Sequence, residues 1–229
     1  MQKTRIPSFT VPLNGEKYVD PDNPCQRPRY GLNTGMRCDL RGRRVDTLGG
    51  MSDQPACHCL LCEEHDVEPD DVDLRTMRDV RERGWTVVMI PEDEEGPGWA
   101  FTVGLWHTFR SPETAMFGLR VEVLRDCLDT LAGAVAAGHP LSAGQRRHDV
   151  IRDYPVAVRE VDRSWYRSLF GLALHFYQRP PLPFMEVVWP DARGHFPWER
   201  EAAPGLAERQ PALWVPKDDH APGYWSKLP

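Results

Sequence analysis

Nowhere does the chain hold 18 consecutive apolar residues, which excludes a helix that crosses a bilayer. Its opening, MQKTRIPSFTVPLNGEKY, lacks an apolar stretch of the length a secretion signal needs. Basic residues are not in excess either: 28 Lys and Arg stand against 34 Asp and Glu, a formal net charge of −6. A surface that tracks phosphates draws on a basic excess, so nucleic acid is not an expected partner. There is no Walker sequence, no G-x-G-x-x-G, no G-x-S-x-G, no H-E-x-x-H and no internal repeat. Phosphate-cradling loops, nucleophile elbows and zincin-type sites therefore have no signature here. What is present is 229 residues, 41% hydrophobic and 27% charged, enough for one sizeable core. Six cysteines without an export signal point to a reducing, cytoplasmic setting, in which clustered cysteines hold metal or do redox chemistry.

Residues 1–56 are rich in Pro, Gly, Asn and Arg, with neither helical nor strand periodicity. They read as an extended or disordered basic arm, and Met51 inside it is a second candidate start. Regular patterning begins after Asp66. Pro69-Asp70-Asp71 opens a helix that Gly84 is placed to end. Strands are expected at Trp85–Ile90, Trp99–Leu105, Thr114–Leu119, Pro155–Val161 and Phe184–Trp189. Leu124, Cys127, Leu128, Leu131 and Val135 form one apolar stripe, predicting a helix over 121–137. A further helix is predicted from Tyr166 to Tyr177, and Arg146, Arg147 and His148 read as a polar link. Three successive strands with short links favour antiparallel neighbours, so the fold class is α+β with a mostly antiparallel or mixed sheet. The main domain spans 57–199, and the Pro-rich tail 200–229 carries enough aromatics to lie along its surface.

The densest chemical signal is Cys57-His58-Cys59-Leu60-Leu61-Cys62-Glu63-Glu64-His65. Thiolates and imidazole together suit a closed tetrahedral zinc site with a structural role. Cys57, Cys59, Cys62 and His65 are the expected ligands, since one helical turn after Cys62 brings His65 to the same centre. His58, Cys25 or Cys38 are alternatives for the fourth position. The plainer alternative is three reduced cysteines in an entry loop. An iron–sulfur cluster would want four thiols. A redox role is disfavoured by Glu63, Glu64 and Asp66, which raise thiol pKa values.

A second constellation lies further on. Gly96-Pro97-Gly98-Trp99-Ala100-Phe101-Thr102-Val103-Gly104-Leu105-Trp106-His107-Thr108-Phe109 is followed by Ser111-Pro112-Glu113. Far downstream come Tyr154-Pro155-Val156, Gly171-Leu172-Ala173, Val188-Trp189-Pro190-Asp191 and Gly194-His195-Phe196-Pro197-Trp198. In this order and spacing the segments resemble the domain-of-unknown-function family 4262 over roughly residues 57–199. The resemblance implies a compact bacterial domain and no settled activity. Read physically, His107, Glu113, Asp191 and His195 stand at strand exits and turns, where functional side chains concentrate. If they meet in one cleft they form an acid/base or second metal set. Each also has a plainer role: a cap, a strand start, a turn anchor or a ring packed on Trp198. His175, in an apolar helix, reads as a core or interface histidine. Trp85, Trp99, Trp106, Trp165, Trp189 and Trp198 read first as packing and second as a pocket lining.

Two functions follow. One is a zinc-stapled accessory domain that binds a peptide, a protein or a small ligand. The other is a hydrolase or transferase using a cleft around His107 and His195.

Overall fold

Helix α1 (Asp71–Arg83) begins where an acid precedes an amphipathic run. Asp70 accepts from the N–H groups of Val72 and Asp73, and the Asp73 side chain accepts from Asp70 in return. This reciprocal cap satisfies donors that the first turn would otherwise leave open. Gly84 ends the helix, its N–H bonded to the Val80 carbonyl. The structure, a computed structural model, describes residues 57–64, 68–94, 96–178 and 182–229. The basic arm with Cys25, Cys38 and Met51, and also His65, lie outside the described residues.

Six strands form one mixed sheet: β1 (Thr86–Ile90), β2 (Trp99–Val103), β3 (Glu113–Phe117), β4 (Arg146–Ile151), β5 (Tyr154–Glu160) and β6 (Phe184–Val188). Their order is β1-β2-β3-β6-β5-β4. Every pairing is antiparallel except β3 with β6, which is parallel. Parallel neighbours need a long crossover. Here it contains α3 (Val121–Ala136), the β4–β5 hairpin, and two short helices, α4 (Tyr166–Leu169) and α5 (Gly171–Tyr177). The fold is α+β.

Each face of the sheet carries its own core. On one, Leu124, Cys127, Leu128 and Leu131 of α3 pack with Val156, Val158 and Val187. On the other, Phe101, Ala115, Phe117 and Phe184 meet Trp165, Phe170, Phe176 and Tyr177. Phe170 and Phe184 stack with centroids 4.0 Å apart. Burying one such ring stabilises by about 1.5–3 kcal/mol. The C-terminal segment completes this second face. Trp225 is buried edge-on against Trp99 and Phe117, and its indole N–H donates to the Glu208 carbonyl.

Two expected elements differ. Arg146, Arg147 and His148 are not a link but the start of strand β4. The alternating apolar pattern is missing because β4, among the described residues, is an edge strand paired only with β5, and charges are how exposed edges avoid adding a further strand. The helix expected over Tyr166–Tyr177 is broken at Phe170 (φ −124°, ψ 32°), whose buried ring serves the core instead of the helical path. Among the described residues, no helix is long and apolar enough to cross a membrane.

Candidate metal centre

The entry segment turns on itself as soon as it reaches the core. Leu60 is buried and its N–H donates to the Phe176 carbonyl of α5. The N–H groups of Cys62 and Glu63 both return to the Cys59 carbonyl. This tight turn brings the Cys59 and Cys62 sulfurs to 3.6 Å. Cys57 and Cys59 are buried and Cys62 is exposed, and all three are thiols rather than disulfides.

The fourth group comes from across the domain. After β2 the chain enters α2 (Leu105–Phe109) through Gly104, at φ 115°. A side-chain carbon at Gly104 would stand 2.8 Å from the Gly84 carbonyl oxygen, so both the backbone angle and the close approach require glycine. On this turn, His107 Nδ1 lies 3.9 Å from Cys57 Sγ, 3.2 Å from Cys59 Sγ and 3.4 Å from Cys62 Sγ. The four ligand atoms all fall within 4.8 Å of one another.

The thiols influence one another strongly. The Cys57 thiol is pulled down chiefly because Cys59 donates to it, with His107 and Arg110 adding to the effect against burial. Cys59 is pushed up by that same bond and by burial, and Cys62 by burial. Three thiolates side by side repel, and a bound dication is what would let all of them ionise. The guanidinium of Arg110, which follows α2, adds positive charge at this point.

The position of His107 is fixed by a buried carboxylate. Glu113 Oε1 accepts from the N–H groups of Gly104 and Trp106, each at 3.0 Å, and from the Tyr177 hydroxyl. Its Oε2 accepts from Thr102 Oγ1 at 2.6 Å. The Tyr177 oxygen in turn accepts from the N–H groups of Gly104 and His107. Glu113 therefore does for α2 what an N-cap side chain does for a longer helix, but from a neighbouring strand. Burial pushes its carboxyl up, against four donors that favour the charged form. Burial and the nearby Glu113 push the Tyr177 hydroxyl well above its ordinary range.

The four residues that would form an acid/base or second metal set if they shared a cleft do not meet. In the β2–β3–β6 register, Glu113 pairs with Phe184, the first residue of β6. Asp191 and His195 follow Val188 at the opposite end of that strand. Four residues of strand, about 13 Å, separate the two ends. Asp191 is a turn anchor: it accepts from the N–H groups of Arg193, His195 and Ala203. Burial pushes its carboxyl up, but those bonds outweigh it and hold the group below the usual range. His195 Nδ1 lies 3.7 Å from Asp191, and it is Phe196 that stacks on Trp198. His58 pairs with Glu63 rather than with a sulfur. His175 ties α5 to α1 through Asp73 at 3.1 Å.

Residues 79–203, more than half of the chain, match the model of a domain of unknown function, DUF4262. The chain belongs to this family. The DUF4262 match takes in the whole sheet, His107 and Glu113, but begins after Cys57, Cys59 and Cys62. The candidate centre thus joins a histidine from the matched region to three sulfurs outside it. No curated protein and no solved structure matches the chain.

Proposed function

We propose that this chain is an accessory binding domain of the cytoplasm, stapled by a structural zinc ion on Cys57, Cys59, Cys62 and His107. One observation carries the reading: three sulfurs and one ring nitrogen cluster together, with His107 Nδ1 3.2–3.9 Å from each sulfur and the Cys59 and Cys62 sulfurs 3.6 Å apart. A zinc tetrahedron with bonds of about 2.3 Å to sulfur and about 2.0–2.1 Å to nitrogen has edges of about 3.5–3.8 Å. These four distances lie near those edges, and all the ligand atoms stand within 4.8 Å of one another. A three-thiolate, one-imidazole set suits zinc better than an iron–sulfur cluster, which takes four thiolates in most proteins.

A structural rather than catalytic role is favoured because four protein ligands leave no open position for substrate. The zinc would tie the entry turn to α2 and α5. The alternative reading as a hydrolase or transferase needed His107 and His195 in one cleft, and they stand at opposite ends of the sheet.

Elemental analysis of purified wild type and of Cys59→Ser tests the reading. About one zinc ion per chain is expected in the wild type, and a small fraction of that in the variant. A wild type that is fully folded without metal, or that holds iron instead, would overturn the assignment.

A further inference from the structure

We propose that the cleft beside the end of β5 is a binding site for a small organic anion, anchored by Arg159. The cleft has a volume of about 480 Å³ and is lined by Ala143, Gly144, Trp214 and the run from Arg159 to Arg163, which includes the acids Glu160 and Asp162. That volume lies within the range of small-molecule sites, about 300–1,000 Å³.

Arg159 is the unusual group. Its guanidinium carbon lies 4.6 Å from the ring centroid of Trp198 and 5.4 Å from that of Trp214. Its Nε is buried with no hydrogen-bond partner, and among the described residues its side chain forms no ion pair. The indole faces offset part of the lost hydration, but a buried Nε without an acceptor remains unfavourable. The natural partner strand does not resolve this. Glu186 faces Arg159 directly across the β5–β6 ladder, yet one of its oxygens accepts from the Leu213 N–H and the other has no partner. Burial pushes the Glu186 carboxyl well above its usual range, despite that bond and the charge of Arg159. Glu186 and Arg159 form no ion pair although they face each other.

The other charges around the cleft are of both signs. Arg163 adds a second cation. Asp162 already uses an oxygen to cap Ser164. Glu160 also lines the cleft, as an exposed acid that solvent screens. The planar edge of a guanidinium matches a carboxylate or a phosphate in a paired hydrogen bond. Trp214 offers an aromatic wall beside it, and the space next to Gly144 is open, since a side-chain carbon there would meet no atom within 4 Å. The ligand is therefore an anionic head with a flat apolar body. This inference stands apart from the zinc reading.

Tryptophan fluorescence and calorimetric titration of the full chain with benzoate, phenyl phosphate and inorganic phosphate test it. Benzoate or phenyl phosphate, or both, should bind saturably and more tightly than inorganic phosphate. The comparison of the two aromatic probes tells a carboxylate head from a phosphate head. Arg159→Met should weaken binding about tenfold or more, the scale of a charge-assisted bond. Ala143→Glu changes an exposed residue at the mouth and should weaken binding in the same direction without disturbing the fold. If Arg159→Met does not fold, Ala143→Glu decides. Absence of saturable binding by both aromatic probes, or binding unchanged in the folded variants, would overturn the proposal.

Discussion

Stripping the proposed zinc from the purified protein with a chelator is expected to lower its unfolding midpoint by roughly 10 °C. A ligand that binds only the folded state contributes about 4 kcal/mol when its free concentration is about 1,000 times Kd. For a domain of this size each kcal/mol moves the midpoint by about 2–4 °C. The loss should not amount to complete unfolding, because two apolar cores flank the sheet, and the one that includes Cys57 and Cys59 is built mainly of aromatic and aliphatic side chains. It should concentrate at the entry. Without metal, residues 57–64 keep the burial of Leu60 and its bond to Phe176, but little else fastens Cys62. His107→Ala should reproduce the shift and be insensitive to chelator. Calorimetry or circular dichroism with and without chelator reads both effects, and an unchanged midpoint would contradict the account.

Glu113→Ala is expected to be the most damaging single change at the site. It removes the acceptor for Gly104 N–H, Trp106 N–H, Tyr177 Oη and Thr102 Oγ1 in a region closed to water. The two hydroxyls can turn to other partners, and Gly104 keeps the Tyr177 oxygen at 2.9 Å. The Trp106 N–H cannot turn away. An orphaned buried group costs about 1–3 kcal/mol and a charged hub costs more, so the total should be about 3–5 kcal/mol. Glu113→Gln keeps an acceptor toward α2 and should cost less than half as much. Because α2 presents His107, both variants should also weaken metal, by about 10–100-fold where the supporting bond is lost outright. Urea titration and competitive chelation measure the two effects separately. A Glu113→Ala protein of wild-type stability would mean that the carboxylate does not hold the turn.

The sequence made the framework legible wherever one physical pattern dominated. The stripe of Leu124, Leu128 and Leu131 gave α3, and the acid–proline start with Gly84 bounded α1. It failed where local pattern and tertiary role parted. Strand β4 has no apolar alternation because it lies at a charged edge, and Phe170 interrupts a helix because its ring belongs to the core. At the site, the three sulfurs stood out because they are close in the chain. The link from them to His107, 45 residues beyond Cys62, follows no spacing rule. Only the path of β2 and the Gly104 turn bring that ring back to the entry segment. Tyr177 and Arg159 had no sequence signal, since a tyrosine ending an apolar helix and an arginine in a strand are ordinary. His65, three residues after Cys62, was the nearer imidazole, and the competition between His65 and His107 is open to direct measurement.

X-ray absorption at the zinc edge, on wild type, His107→Ala and His65→Ala, is that measurement. The account predicts three sulfurs at about 2.3 Å and one nitrogen at about 2.0–2.1 Å in wild type and in His65→Ala. In His107→Ala the nitrogen should vanish or the metal be lost. A nitrogen shell that survives His107→Ala and disappears in His65→Ala would contradict it.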